Sequence, residues 1–306
     1  MNIHKLLFVC LAVFTLIFSG CGSGEGGDTS QTGTVSLNLT DAPLVDEDNV
    51  TGVFITISSI EYHTDGGWNT MEDFNTSVNP INLLEWQDGA SISLGDFEMP
   101  AGTYTQIRFM LDVQDKNKPV NPNAGCFIEF DGDRNETLYV SSGSQTGYKA
   151  IGTYDVPVNG TVNITADFDV RKSIVTTGRR DYKLKPTIKL VVTNEAGSID
   201  GNVTNLDSEA TYVMYAYSYK DGVSTWNESE ANDLDPSDDS DIRFENAATS
   251  SGLKEDGTYT LSFLSADKYD LILAEYAGDG EYTTFHIIET EVVVESGEVT
   301  TVDMSL

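Results

Sequence analysis

From Gly33 to the carboxyl end, apolar and polar residues alternate with a period of two, and turn residues interrupt the alternation about every 8 to 12 positions. In VNITADFDV, Val162, Ile164, Ala166, Phe168 and Val170 share one face while Asp167 and Asp169 share the other. In KLKPTIKLVV, Leu184, Pro186, Ile188, Leu190 and Val192 face inward, and Lys183, Lys185 and Lys189 face outward. If the two segments pair, outward acids meet outward lysines across the ladder. Pro186, with no N–H to donate, and the lysines suit an edge strand. No segment carries the apolar period of an amphipathic helix. The pattern predicts an all-β protein of two β-sandwiches in tandem.

Other segments add detail. Val53, Ile55 and Ile57 run in phase, and Ile60 and Tyr62 continue one residue out of phase, which predicts a bulge near Ser58 and Ser59. The TDGGW segment reads as a hairpin; a two-residue Asp65-Gly66 loop sets His63 opposite Trp68. In TQIRFMLDV, Ile107, Phe109, Leu111 and Val113 lie on one side, with Gln106, Arg108 and Asp112 on the other. Farther on, Val213, Tyr215, Tyr217 and Tyr219 share a face, opposite Met214 and Ala216. Tyrosines exposed in such a row would stack on sugar rings, and buried ones would fill the core, the simpler reading. Tyr215, Tyr217, Tyr219 and nearby Trp226 are therefore the glycan-binding candidates.

The amino end departs from this grammar. Lys5 is followed by the apolar run Leu6 to Phe18 and then Ser19-Gly20-Cys21. A run of that length is a signal-peptide core, too short to span a bilayer, and its end resembles a bacterial lipobox with Phe18 where Leu is usual. Residues 1–20 are expected to be a signal peptide, Cys21 to carry lipid, and residues 21–32 to form a Gly/Ser/Thr tether. The protein is thus expected to be exported and lipid-anchored to the cell envelope. Gly22 offers no retention Asp, which makes the outer membrane or cell surface the default.

Charge narrows the partners. The chain carries 49 acids against 17 bases, a formal net charge of −32. Such a field repels nucleic acid and anionic membrane surfaces. Residues 34–195 hold 12 bases and 23 acids, whereas residues 196–306 hold 4 and 24. A boundary is placed there, giving units 33–195 and 196–306. Cys10 leaves with the signal and Cys126, in the alternating CFIEF, has no disulfide partner, so a buried apolar role is expected for it.

Catalysis finds little support. Only His63 and His286 remain after processing, in separate units, and both read as strand-surface residues; no nucleophile elbow, HExxH motif or phosphate loop occurs, so no enzyme activity is expected. Glu228, Glu230, Asp233, Asp235, Asp238, Asp239 and Asp241 crowd one loop. Asp233, Asp235, Asp238, Asp239 and Asp241 are candidate Ca²⁺ ligands by oxygen density, although a solvated acidic insertion explains them more simply. Asp41 with Asp46, Glu47, Asp48 and Asn49, and Asp131-Gly132-Asp133, are weaker candidates. Arg171, Lys172, Arg179, Arg180, Lys183, Lys185 and Lys189 concentrate the positive charge, where neutralising neighbouring acids is a simpler role than anion binding.

LNLTDAP (Leu37 to Pro43), the DGGW hairpin, INLLEW (Ile81 to Trp86), MPAGTYTQIR (Met99 to Arg108) and YKLKPTIKLV (Tyr182 to Val191) together resemble the domain of unknown function 4382 family. The resemblance implies a β-sandwich on a secreted or lipid-anchored microbial protein and no catalytic residue. GSIDGNV (Gly197 to Val203), YVMYAY (Tyr212 to Tyr217), DGTYTLSFL (Asp256 to Leu264) and YDLILAEY (Tyr269 to Tyr276) resemble carboxypeptidase-regulatory-like or collagen-adhesin B-type modules. That second resemblance implies a transthyretin-like or carbohydrate-binding-like sandwich, in the broader immunoglobulin-like class. The expected role is recognition or adhesion at the envelope, with a glycan or an envelope protein as partner. Carbohydrate binding by the second unit and a structural spacer or scaffold are the alternatives.

Overall fold

In the computed structural model of the protein, the alternating segments are strands, and they pair into four sheets. Residues 31–42, 50–113, 125–132, 134–139, 147–177, 181–232, 242–278 and 280–306 are described. Two sheets come from the first part of the chain. The larger has eight strands in the order Gly67–Thr70, Ile57–Thr64, Gly102–Leu111, Tyr148–Val156, Ile188–Val192, Thr161–Phe168, Thr32–Asp41 and Ile92–Pro100. The smaller has six, ordered Ile174–Thr177, Asp181–Leu184, Arg134–Tyr139, Phe127–Phe130, Val50–Ile55 and Ile81–Asn82.

One apolar cluster joins them. It runs from Val35, Leu37 and Leu39 through Ile107, Phe109 and Ile164 to Ile188 and Leu190. The residues that alternation assigned inward, Val162, Ile164, Ala166, Phe168 and Val170, are all buried in it. Cys126 is fully buried there, and burial pushes its thiol up to about 12, well away from a reactive thiolate.

The chain changes sheets twice where the sequence reads as continuous. Val50–Ile55 belongs to the six-stranded sheet and Ile57–Thr64 to the eight-stranded one, so the crossing falls at Thr56. The expected bulge is present as a register shift between Ile57 and Ser59. The second crossing corrects the edge-strand expectation. Asp181–Leu184 and Ile188–Val192 lie in different sheets, and Ile188–Val192 is interior, parallel to Tyr148–Val156 and antiparallel to Thr161–Phe168. Pro186 sits in the connection, where no ladder donor is needed. The expected Asp167 to Lys189 pairing holds in register and as a 2.9 Å ion pair.

The remaining sheets come from the last third of the chain. A four-stranded sheet is built on Gly197–Thr204, and a five-stranded one on Thr211–Lys220 paired with Asp267–Tyr276. Tyr212, Met214 and Ala216 face the cluster between these two sheets. Val213, Tyr215 and Tyr217 face a separate cluster with Ala231, Phe244 and Ala247. The strand Thr211–Lys220 is thus buried on both faces over its middle. Residues Gln31–Leu306 form one compact unit. Its described helices are single short turns, and none is long and apolar enough to cross a membrane.

Candidate functional site: one sheet face, half covered and half bare

The outer face of the eight-stranded sheet has two regions of opposite character. At the Asp41, Asp167 and Lys189 end of Thr32–Asp41, Thr161–Phe168 and Ile188–Val192 it meets the second sandwich, whereas Thr161 and Asn163 are exposed. Here Asp169 caps the short helix Val170–Ser173, its Oδ1 accepting from the Lys172 N–H at 3.2 Å. Its Oδ2 meets Arg171 at 3.3 Å and the Lys172 ammonium at 3.2 Å. The same two cations, with Lys189, reach across to one segment of the second sandwich. Arg171 donates to the Phe244 carbonyl at 2.5 Å, Lys172 to Ala247 at 2.9 Å and Lys189 to Ala248 at 2.7 Å. Hydrogen bonds from charged donors are roughly twice as strong as neutral ones, and among the described residues the apolar clusters of the two sandwiches are separate. Ser251 adds a bond to Asp88 at 2.9 Å, and the Arg171 guanidinium lies 5.2 Å from the Tyr215 ring centroid.

Their surroundings tune the two carboxyls, Asp41 and Asp169, in opposite directions. Asp41 is 5% exposed, with Oδ1 accepting from the Val170 N–H at 3.0 Å and Oδ2 from Gln87 at 3.2 Å. Burial raises its carboxyl well above the ordinary value, and the nearby Asp167 and Asp169 charges add to the rise. For Asp169, burial pushes upward too, but Arg171 and Lys172 outweigh it and hold the carboxyl below its ordinary value. Desolvation lowers the Lys172 ammonium. The basic cluster read from sequence is thereby split. Arg171, Lys172 and Lys189 bind the seam, Lys183 and Lys185 do not join them, and Arg179 and Arg180 lie outside the described residues.

On the other half of the face, among the described residues, His63, Lys149 and Ile151 are exposed. Strand pairing sets Thr70, Glu61, Arg108 and Lys149 in one row across four strands, and His63 beside Trp68. Trp68 reaches over this row. Its ring centroid is 4.3 Å from the Arg108 guanidinium carbon, 5.8 Å from the Lys149 ammonium and 5.0 Å from the His63 ring. Glu61 holds Arg108 in place through Nε at 2.6 Å and Nη2 at 2.5 Å. Lys149 and His63 are exposed and Trp68 is half-buried. Ile151, 57% exposed, stands next to Lys149 on the same side of its strand.

A groove of about 440 Å³ adjoins this surface where the bare half meets the second sandwich. Gly152, Thr153, Leu190 and Val192 form one wall, Ser265 and Ala266 the other. Gly152 is required there: a Cβ would run into the Leu190 carbonyl oxygen, so any other residue would push the strands apart. Its volume falls within the roughly 300–1,000 Å³ of small-molecule pockets.

The residues nominated from sequence fare differently. Tyr215 and Tyr217 are 2% and 0% exposed, which agrees with the simpler core reading and removes them from the sugar-stacking candidates. Tyr215 bonds Tyr276 at 3.1 Å and stacks on Phe244, while Tyr217 bonds Glu230 at 3.1 Å. Tyr219 is half-buried, its hydroxyl donating to Asp270 at 2.7 Å. Trp226 is half-buried against the same cluster, edge-on to Tyr217. Packing claims both faces of this strand, which its alternation could not show. Cys21, the acids Asp233, Asp235, Asp238, Asp239 and Asp241, and Asp46, Glu47, Asp48, Asn49 and Asp133 lie outside the described residues. Among the described residues no group of three or more His, Cys, Asp or Glu is placed to hold a metal. The assembly of Trp68, Arg108 and Lys149 was missed, although the His63 to Trp68 pairing and the outward side of Arg108 were read correctly. Nothing in the sequence links strands that stand so far apart in the chain.

The motifs quoted above meet in this fold. Leu37 and Leu39 fill the core, and the one Thr40 hydroxyl proton lies between the Trp86 and Ala90 carbonyls, 2.9 and 2.7 Å from the Thr40 oxygen, tying LNLTDAP to INLLEW. The model of the family described as Domain of unknown function (DUF4382) matches residues 32–186, half of the chain. The chain belongs to the DUF4382 family. The match ends at Pro186, just before Ile188–Val192, the strand that fills the middle of the eight-stranded sheet. No curated protein matches the chain in sequence.

Solved structures align only distantly. A leucine-rich repeat protein from Bacteroides thetaiotaomicron is 11% identical over 90% of this chain and 26% of its own, with a TM-score of 0.20. The minor pilin GBS52 of Streptococcus agalactiae is 14% identical over 90% and 95%, at 0.19. BcpA, the major pilin subunit of Bacillus cereus, is 9% identical over 90% and 99%, at 0.21. The chain thus spans about a quarter of the first of these proteins. At TM-scores this low the likeness assigns neither a shared topology nor an activity.

Proposed function

We propose that this DUF4382 protein is an exported, lipid-anchored, non-enzymatic recognition or adhesion protein of the cell envelope. Its units, 33–195 and the carboxypeptidase-regulatory-like 196–306, form a head on the tether of residues 21–32. One observation carries the reading. A single sheet face is locked on one side by buried charges and left open on the other, with an aromatic and cationic surface beside a groove. A locked seam holds that surface in one geometry, and preorganised surfaces bind with less ordering cost. Anchoring rests on the Leu6 to Cys21 segment.

The test has two arms in cells producing the native chain or Cys21→Ser. Labelled palmitate should enter the native chain alone, and cells displaying it should be retained on immobilised envelope polysaccharide or protein fractions. A native chain that takes no label and confers no retention on any fraction removes the reading.

A further inference from the structure

We infer that the bare half of the eight-stranded sheet is a binding site for a carboxylated sugar, a uronate or sialate residue of a glycan. Trp68 supplies the stacking surface, and Lys149, beside Arg108, takes the carboxylate. The inference rests on the recognition reading above and names its ligand.

Three features lead to this class. Lys149 is exposed and aimed at the indole, and among the described residues no carboxylate lies within ion-pair distance of it. Among those residues Lys183, Lys185, Lys220 and Lys254 also lack an acid within ion-pair distance, but of these five lysines only Lys149 lies against an indole. The carboxylates on these strands are already engaged, Glu61 by Arg108 and Asp155 by the Thr103 hydroxyl at 2.5 Å. Within the row the Glu61–Arg108 pair cancels and Lys149 leaves one positive charge, while Asp155 keeps its charge at the far end of the same strand. Screening decides whether a ligand feels the row or the whole molecule: at physiological ionic strength the Debye length is about 8 Å, so a carboxylate at Lys149 responds to its immediate neighbours and not to distant acids. Long polyanions, which must extend over the acidic remainder, are still repelled.

The second feature is shape. A part-exposed indole laid over a flat sheet, ringed by His63, Gln106 and Thr70, offers a plane for the C–H face of a pyranose and hydrogen-bonding groups for its hydroxyls. An acidic peptide takes its register from a strand edge, and although Gly67–Thr70 is the terminal strand, Trp68, Arg108 and Lys149 are gathered on the face of the sheet; the peptide is therefore the competitor to test. The third feature is rigidity. Glu61 fixes the Arg108 guanidinium over the ring, so the platform exists before the ligand arrives.

The experiment uses the full chain purified in detergent. A panel of uronate- and sialate-terminated oligosaccharides, their neutral methyl esters and an Asp/Glu-rich peptide is titrated by calorimetry and tryptophan fluorescence. At least one acidic sugar should bind about tenfold or more tightly than its ester, the worth of a charged hydrogen bond, and weaken with added salt. Lys149→Gln should equalise acid and ester, and Lys149→Arg should keep the preference. Trp68→Ala should abolish binding of both, with Trp68→Phe intermediate and all four variants unfolding like the native protein. Equal binding of acid and ester by the native chain, binding untouched by Trp68→Ala, or preference for the peptide would each overturn the proposal. If no acidic sugar binds while displayed cells are still retained on an envelope fraction, the ligand class is wrong and the recognition reading stands. Loss of retention as well removes both.

Discussion

The two halves of the eight-stranded sheet's outer face use the same residue types for opposite ends. In the covered half, Arg171 is buried and, with the part-exposed Lys172 and Lys189, donates to backbone carbonyls of the second sandwich. In the bare half, Lys149 is exposed beside an indole, while Arg108 is half-buried and paired with Glu61. A cation's role here follows from what lies above it. Buried, it must be matched on every side and its loss leaves partners stranded; exposed, it is screened, contributes little to stability and stays available to a ligand.

Stability measurements test that contrast most directly at Arg171. Arg171→Ala leaves Asp169 and the Phe244 carbonyl without their buried donor and is expected to cost about 3–5 kcal/mol in denaturant unfolding. A cost below about 1 kcal/mol would mean that the seam does not hold the sandwiches together.

The two buried carboxyls should then separate by sign. Asp169 has a lowered pKa, so it binds fewer protons folded than unfolded; its contribution is full above the ordinary value of 3.8 and is lost as pH falls through the folded value. Asp169→Asn should cost about 2 kcal/mol near neutrality and flatten the acid limb of the stability profile. Asp41 has a raised pKa and binds more protons folded; its contribution is greatest below 3.8 and declines as pH rises toward the folded value. Asp41→Asn should therefore leave neutral stability unchanged or raise it by up to about 1 kcal/mol, with Gln87 turning its amide to suit. Parallel pH profiles for the two variants would show that their surroundings do not differ as described.

The smallest effect is expected on the bare side. Lys149→Gln should shift stability by no more than about 0.5 kcal/mol, the usual bound for a surface change. A large loss there would make Lys149 a structural residue and erase the distinction between the halves.

Much of this was readable from the chain. Period-two alternation placed Val162 to Val170 inward, the Asp65-Gly66 turn set His63 against Trp68, and opposite charges paired Asp167 with Lys189. What escaped was context. Lys183, Lys185 and Lys189 form one outward row in the sequence, yet a sheet crossing at Lys185 to Thr187 separates them and puts Lys189 under the second sandwich. For Tyr215 and Tyr217 the simpler core reading holds, but the separate layer that covers them was not legible.

Local chemistry alone gave strand, turn, bulge and the inward side of most segments, because a pleated backbone fixes side-chain direction every second residue. Only folding decided which strands became neighbours, which outward faces a second layer would bury, and that Trp68, Arg108 and Lys149 would share one patch. Those outcomes depend on pairings between residues far apart in the chain, and alternation carries no address for a strand's partner.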